Sequence, residues 1–144
     1  MKCVVVPIDD DRSPEWMANH VISLYRQEPL RIFLLNVQPP LSSYIARFIR
    51  KSELNDFHQE NGMRALQPMV ERLDAAGVPH FDRVLVGRKA ETIVQFARTC
   101  GCEQIILPRP SPGLLSNLGL GSVGSQIRHL IGVDAGGCDV CEVW

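Results

Sequence analysis

Residues Lys2–Ile8, KCVVVPI, are an almost unbroken apolar run that ends at three consecutive acids, Asp9-Asp10-Asp11. A strand with one wet face would alternate polar and apolar residues. The lack of alternation predicts a strand covered on both faces, as an inner strand of a parallel sheet is covered by helices. After the acids, Ser13-Pro14 offers an N-cap with proline at the first helical position. A helix is expected from there to about Gln27, with Met17, Val21, Leu24 and Tyr25 at helical spacing. Leu30–Val37, LRIFLLNV, is a second buried strand rich in branched and aromatic residues, ended by Pro39-Pro40.

Residues 38–52 show no clean period and are expected to form a loop or a short irregular helix. A long helix follows over about Glu53–Ala76, with Met63, Leu66, Met69, Val70 and Leu73 on one stripe and Gly77 as its stop. Pro79–Gly87, PHFDRVLVG, reads as the third strand, and Ala90–Cys100 as a helix with Ile93, Phe96 and Ala97 inward. Glu103–Leu107 is the fourth strand, and Cys138–Trp144 the fifth. Between them lie a long loop rich in Pro, Gly and Ser and a helical repeat at Val123, Ile127, Leu130 and Ile131. Strict alternation of strand and helix predicts one α/β domain over residues 1–144. The expected fold is a five-stranded parallel doubly wound sheet, order 3-2-1-4-5, Rossmann-like, with helices on both faces and right-handed crossovers. Ligands of such sheets sit beyond the carboxyl ends of the strands where the winding reverses. Strands one and four flank that point, so the Asp9 turn and the Pro108–Ser122 loop converge on one crevice.

Composition narrows the function classes. With 15 basic and 16 acidic residues the net charge is −1, and no basic block is longer than Arg47–Lys51, which argues against nucleic acid or an anionic membrane as the main partner. No apolar run approaches the ~18 residues of a transmembrane helix, and the first apolar run is too short for a signal peptide, so a cytoplasmic location is expected. The five cysteines (Cys3, Cys100, Cys102, Cys138, Cys141) are odd in number and are read as mostly free thiols. Cys3, Cys102 and Cys138 are expected near the amino ends of neighbouring strands. A thiol cluster there is one hypothesis, and buried thiols acting as small hydrophobes the other.

The segment Ile105–Ile131, IILPRPSPGLLSNLGLGSVGSQIRHLI, carries the candidate chemistry. A strand delivering a small-residue loop onto a helix N-terminus presents free N–H groups and a positive dipole end to an anion. The plainer alternative is a turn with Ser122 as its cap. Here the chain resembles the universal stress protein family nearly end to end. The resemblance rests on Val4-Val5-Val6-Pro7-Ile8-Asp9, on Val84–Gly87 followed by Ile93, and on Gly121-Ser122-Val123 opening the last helix. Nucleotide-binding members of that family carry G-x-x-G, nine residues, then G-[ST]. Counting back from Gly121-Ser122 places Ser111 and Pro108 where the two glycines stand.

The resemblance implies an adenine-nucleotide site formed by Pro7, Ile8, Asp9, Val37, Arg109, Ser111, Gly121, Ser122 and Val123. Asp9 matches the acid that holds the ribose hydroxyls, and Val37 the strand end near the adenine. Each also has a plainer reading, as a turn residue and as core packing. Pro108 has no N–H to donate and fixes φ, and Ser111 is strained wherever positive φ is needed, so the phosphate cradle is degenerate. Arg109, the Ser111 hydroxyl and the Gly121-Ser122 terminus are the groups that could compensate.

Other chemistry has little support. Cys138-x-x-Cys141 lies in an expected strand, where positions i and i+3 face opposite ways, and Cys100-x-Cys102 has the wrong spacing for zinc. The four histidines (His20, His58, His80, His129) fall in no metal spacing and read as surface or helix-face residues. There is no G-x-S-x-G elbow, H-E-x-x-H or Walker A lysine. No metal and no required cofactor are expected, with ATP or AMP as the candidate ligands. The resulting expectation is a non-enzymatic stress-response module that binds ATP weakly or not at all. It would be a homodimer paired through the edge strand Cys138–Trp144. The alternative is an ATP-binding switch with slow hydrolysis using the Pro108–Ser122 loop. A redox or metal protein built on the five thiols is a third reading.

Overall fold

The computed structural model describes residues 2–9, 15–108, 126, 127, 130 and 139–143, with the backbone alone at 108 and 139–143. In chain order the elements are β1 (Lys2–Pro7), α1 (Glu15–Gln27), β2 (Leu30–Gln38), α2 (Ser43–Ala46), α3 (Lys51–Ala75), β3 (Phe81–Val86), α4 (Lys89–Thr99), β4 (Gln104–Pro108) and β5 (Asp139–Val143). The strands form one five-stranded sheet in the order β3-β2-β1-β4-β5, and every pair is parallel. The expected fold class and strand order are therefore found. Gln126, Ile127 and Leu130 are helical, where the last helix was expected. The Ser13-Pro14 cap lies outside the described residues. No helix among them is long and apolar enough to cross a membrane.

The side chains of β1 and β2 divide between two cores, as a strand buried on both faces requires. Val4, Val6, Ile8, Leu30, Ile32 and Leu34 pack with Met17, Ala18 and Val21 of α1 and Leu66, Met69 and Leu73 of α3. Cys3, Val5, Phe33, Leu35 and Val37 pack on the opposite face with Ala90, Ile93, Val94 and Ala97 of α4, and with Ile127. Leu66, Met69 and Leu73 are wholly buried, and burying each such side chain contributes about 1.5–3 kcal/mol.

Two helices end in the same way. Gly77 (φ 71°) and Gly101 (φ 67°) take the left-handed conformation just past α3 and α4. Their N–H groups donate to Asp74 and Arg98, and the next residues, Val78 and Cys102, donate to Leu73 and Ala97. This is the paired bond pattern of a Schellman cap, and it turns each helix into the strand that follows. The starts of α3 and α4 are less visible in sequence, because their caps, Arg50 and Arg88, make no side-chain capping bond. Ser42 instead caps the four-residue α2, its hydroxyl accepting from the Ile45 N–H at 3.3 Å. The long helix therefore begins at Lys51, two residues before the expected Glu53.

The reading of mostly free thiols is corrected at one end of the sheet. Cys3 and Cys102 form a disulfide across β1 and β4, with Cα atoms 4.5 Å apart, while Cys100 is free. The pairing follows from topology. Val4 stands opposite Gln104, and the Glu103 N–H donates to the Cys3 carbonyl at 3.0 Å, so the residues just before each register pair meet at the amino ends. Cys138 lies outside the described residues.

Candidate functional site

At the opposite, carboxyl, end of the sheet lies a cleft of about 800 Å³ lined by Val37, Pro39, Pro40, Gly87, Arg88, Lys89, Ala90, Glu91, Gln126 and Leu130. Its apolar wall is made by the end of β2 and the two prolines that follow it. The cationic residues come from the turn into α4, whose N-terminus opens here with Arg88 as its cap. It lies beyond the carboxyl ends of the strands, as in other doubly wound sheets, but its lining comes from the end of β2, the turn into α4 and the last helix, not from β1 or β4, the strands expected to flank the switch point.

Under the Asp9 turn a hydrogen-bonded floor ties three strand ends together, with Asn36 on the sheet face opposite Val37. Asn36, 1% exposed, donates from Nδ2 to the Ile8 carbonyl at 2.7 Å and more weakly to that of Asp9 at 3.5 Å. Gln38 Nε2 donates to Asn36 Oδ1 at 2.6 Å, and the Gly87 N–H donates to the Gln38 carbonyl at 3.0 Å. The Ile8 N–H donates to Leu35 at 2.8 Å. A buried amide in an apolar strand costs free energy unless it is paired, so Asn36 fixes where β1 ends and Asp9 begins.

Above this floor, Lys89 Nζ lies 3.0 Å from Asp9 Oδ1, both side chains remaining partly open to solvent. Asp9 follows β1 and Lys89 follows β3, with β2 between those strands, so the ion pair bridges the carboxyl end of β2. Arg88 pairs with Glu91 at 3.5 Å and is widely exposed.

The expected site residues divide into four groups. Val37 is buried and also lines the cleft, so its core and cleft readings both hold. Asp9 is exposed at the rim and engaged by Lys89. Pro7 and Ile8 are buried in the sheet and lie behind the cleft. Arg109, Ser111, Gly121, Ser122 and Val123 lie outside the described residues. Pro108, at the position of the first family glycine, is the last residue of β4 and stands opposite Val143 of β5. Sequence reasoning missed Asn36, Gln38 and Lys89. Asn36 is the one uncharged polar residue in LRIFLLNV, where Arg31 is the other polar one, and this was a signal available to find it.

Of the histidines, read mostly as surface or helix-face groups, His58 does lie on a helix but on its buried face, and His80 is neither. His58 on α3 is 4% exposed, and neither ring nitrogen has a hydrogen-bond partner. His80 sits between two acids, Nε2 2.7 Å from Asp74 Oδ1 and Nδ1 2.6 Å from Asp82 Oδ1. Burial alone would lower its pKa, but hydrogen bonds and charge from Asp74 and Asp82 outweigh this and hold it above the ordinary 6.5. This clasp joins the end of α3 to the start of β3, away from the cleft. Among the described residues no group of three or more His, Cys, Asp or Glu is placed to hold a metal ion.

The family model described as the universal stress protein family matches residues 1–134. Among solved structures, a universal stress protein in complex with cAMP is 18% identical, with a TM-score of 0.71 over 99% of this chain and 97% of its own. The universal stress protein from Archaeoglobus fulgidus in complex with dAMP is 14% identical, with a TM-score of 0.68 over 100% and 98%. A universal stress protein family protein from Arabidopsis thaliana with AMP bound is 16% identical, with a TM-score of 0.58 over 99% and 91%. At these identities the likeness is one of fold. No curated protein matches the chain.

Proposed function

The chain belongs to the universal stress protein family, and from that premise we propose that it is a non-enzymatic stress-response module with a degenerate adenine-nucleotide site. The observation that carries this reading is the contrast within the site. In the half that would take base and ribose, Val37, Pro39 and Pro40 offer an apolar wall, and Asp9, outside the lining, is tied to it through Lys89. In the half that would take phosphates, Pro108 ends β4 where the resemblance calls for glycine, and it has no N–H to donate. Bound cAMP, dAMP and AMP in proteins of the same fold support the ligand class. The molecule on this reading binds AMP weakly and gains nothing from the extra phosphates of ATP.

Calorimetry with AMP and ATP on the parent and on a Pro108→Gly, Ser111→Gly double variant tests it. Equal, weak binding by the parent and ATP binding at least about tenfold tighter in the variant are expected, one restored charge-assisted contact being enough for that factor. Tight ATP binding by the parent would refute degeneracy and put a nucleotide switch in its place.

We further propose a cytoplasmic homodimer. β5 is at the sheet edge, and an edge strand with free N–H and C=O groups is normally covered. Light scattering over a dilution series would detect it, and a monomer at every concentration would rule it out. In a reducing compartment Cys3–Cys102 is a cross-link that can open to two thiols.

A further inference from the structure

We infer that Lys89 sets ligand class at this cleft by exchanging partners: it holds the Asp9 carboxylate in the free protein and a ligand phosphate in the complex. The inference rests on the nucleotide reading of the cleft. Its observations are the 3.0 Å pair between Lys89 Nζ and Asp9 Oδ1, the bridge this makes across the end of β2, and the presence of Lys89 in the cleft lining.

The Asn36 amide positions Asp9 through the backbone, donating to the Ile8 carbonyl at 2.7 Å and to the Asp9 carbonyl at 3.5 Å. The Asp9 carboxyl oxygens accept hydrogen bonds but donate none once ionised. In the free protein Lys89 supplies a donor to one of them. A ribose diol brings two hydroxyl donors to the same carboxylate and must compete with that ammonium. A neutral nucleoside would displace Lys89 and leave its charge without a partner. A nucleotide displaces it equally but carries its own anion, and a lysine's four-carbon stem with three rotatable donors can swing to that anion. The ion pair is partly exposed, so opening it is inexpensive. The cleft therefore discriminates by charge, accepting nucleoside monophosphates and resisting nucleosides, although the loop that binds phosphate elsewhere in the family is altered. Arg88 also lines the cleft, but its exposed pair with Glu91 at 3.5 Å does not engage Asp9, so only the Lys89 pair competes with a ribose for that carboxylate.

The experiment is calorimetric titration of parent, Lys89→Met and Lys89→Arg with adenosine and with AMP. Lys89→Met should bind adenosine about two- to fivefold tighter, because the competitor for Asp9 is gone. The same variant should bind AMP about tenfold weaker, because a charged hydrogen bond to phosphate is lost. Lys89→Arg should keep the parent's preference, and added salt should erode it. A Lys89→Met change that moves both ligands in the same direction, or moves neither, would overturn the exchange while leaving the nucleotide reading intact. Binding of neither ligand by any of the three proteins would remove both.

Discussion

The two ends of the sheet are held together by different means. At the amino ends, a disulfide between buried Cys3 and Cys102 joins β1 to β4, and His80 is clasped between Asp74 and Asp82. At the carboxyl ends, the buried amide of Asn36 organises a floor, and among the described residues the side-chain ion pair that crosses strands there is the partly exposed Lys89–Asp9 pair. A buried covalent tie resists rearrangement, whereas an exposed ion pair is worth under about 1 kcal/mol and can change partners. The fold thus places a covalent fastening at the amino ends, where Lys2 and Glu28 add an exposed pair at 3.4 Å, and has an exchangeable pair and no covalent one among the described residues beside the cleft. Stability and ligand binding should be separable by substitution.

The largest expected effect is on the fixed end. The disulfide closes a loop with a sequence separation of 99 residues, a length for which the chain-entropy model gives about 4–5 kcal/mol and measured bonds give about 2–4 kcal/mol. Cys3→Ala, Cys102→Ala or reduction should lower stability by that amount in urea denaturation while leaving AMP affinity unchanged. A parallel loss of affinity would show that the two ends are coupled.

Asn36→Ala is next in size and tests the floor. It orphans the Ile8 carbonyl and should cost about 1–3 kcal/mol of stability. Unlike the cysteine changes, it should also weaken AMP binding, because Asp9 is no longer held in place. Unchanged affinity, measured by calorimetry, would remove Asn36 as a positioning residue.

The smallest effect concerns His80. Its pKa is raised in the folded protein, so its contribution is fully present below the ordinary value of 6.5 and is lost as pH rises through the higher folded value. Denaturation midpoints from pH 5 to 8 should show parent and His80→Gln converging towards the alkaline side, by under about 1 kcal/mol for a partly solvated clasp. A gap that widens with rising pH would contradict the assignment.

The fold was legible because its signals are local. KCVVVPI and LRIFLLNV lack alternation since both faces are covered, and Gly77 and Gly101 stop their helices by a backbone conformation other residues resist. The Asp9 turn could be singled out because strand ends carry the site in such sheets, whereas Val37 came from the family resemblance. The remaining features depend on which elements become neighbours. The strand order placed Cys3 and Cys102 near each other but not their bond, Lys89 reaches Asp9 only across β2, and His80 finds Asp74 only after the Gly77 turn. Asn36 looked like a strand residue because its role lies in one backbone carbonyl of a neighbouring strand.

The separation of the two ends is tested most directly by following backbone amide resonances of isotope-labelled protein during AMP titration. Shifts concentrated at Asp9, Val37, Gly87 and Lys89, with Cys3, His80 and Cys102 unmoved, are expected. Shifts centred on the amino ends, or none at the carboxyl-end cleft at saturating AMP, would contradict the division of labour between the two ends and the nucleotide reading built on it.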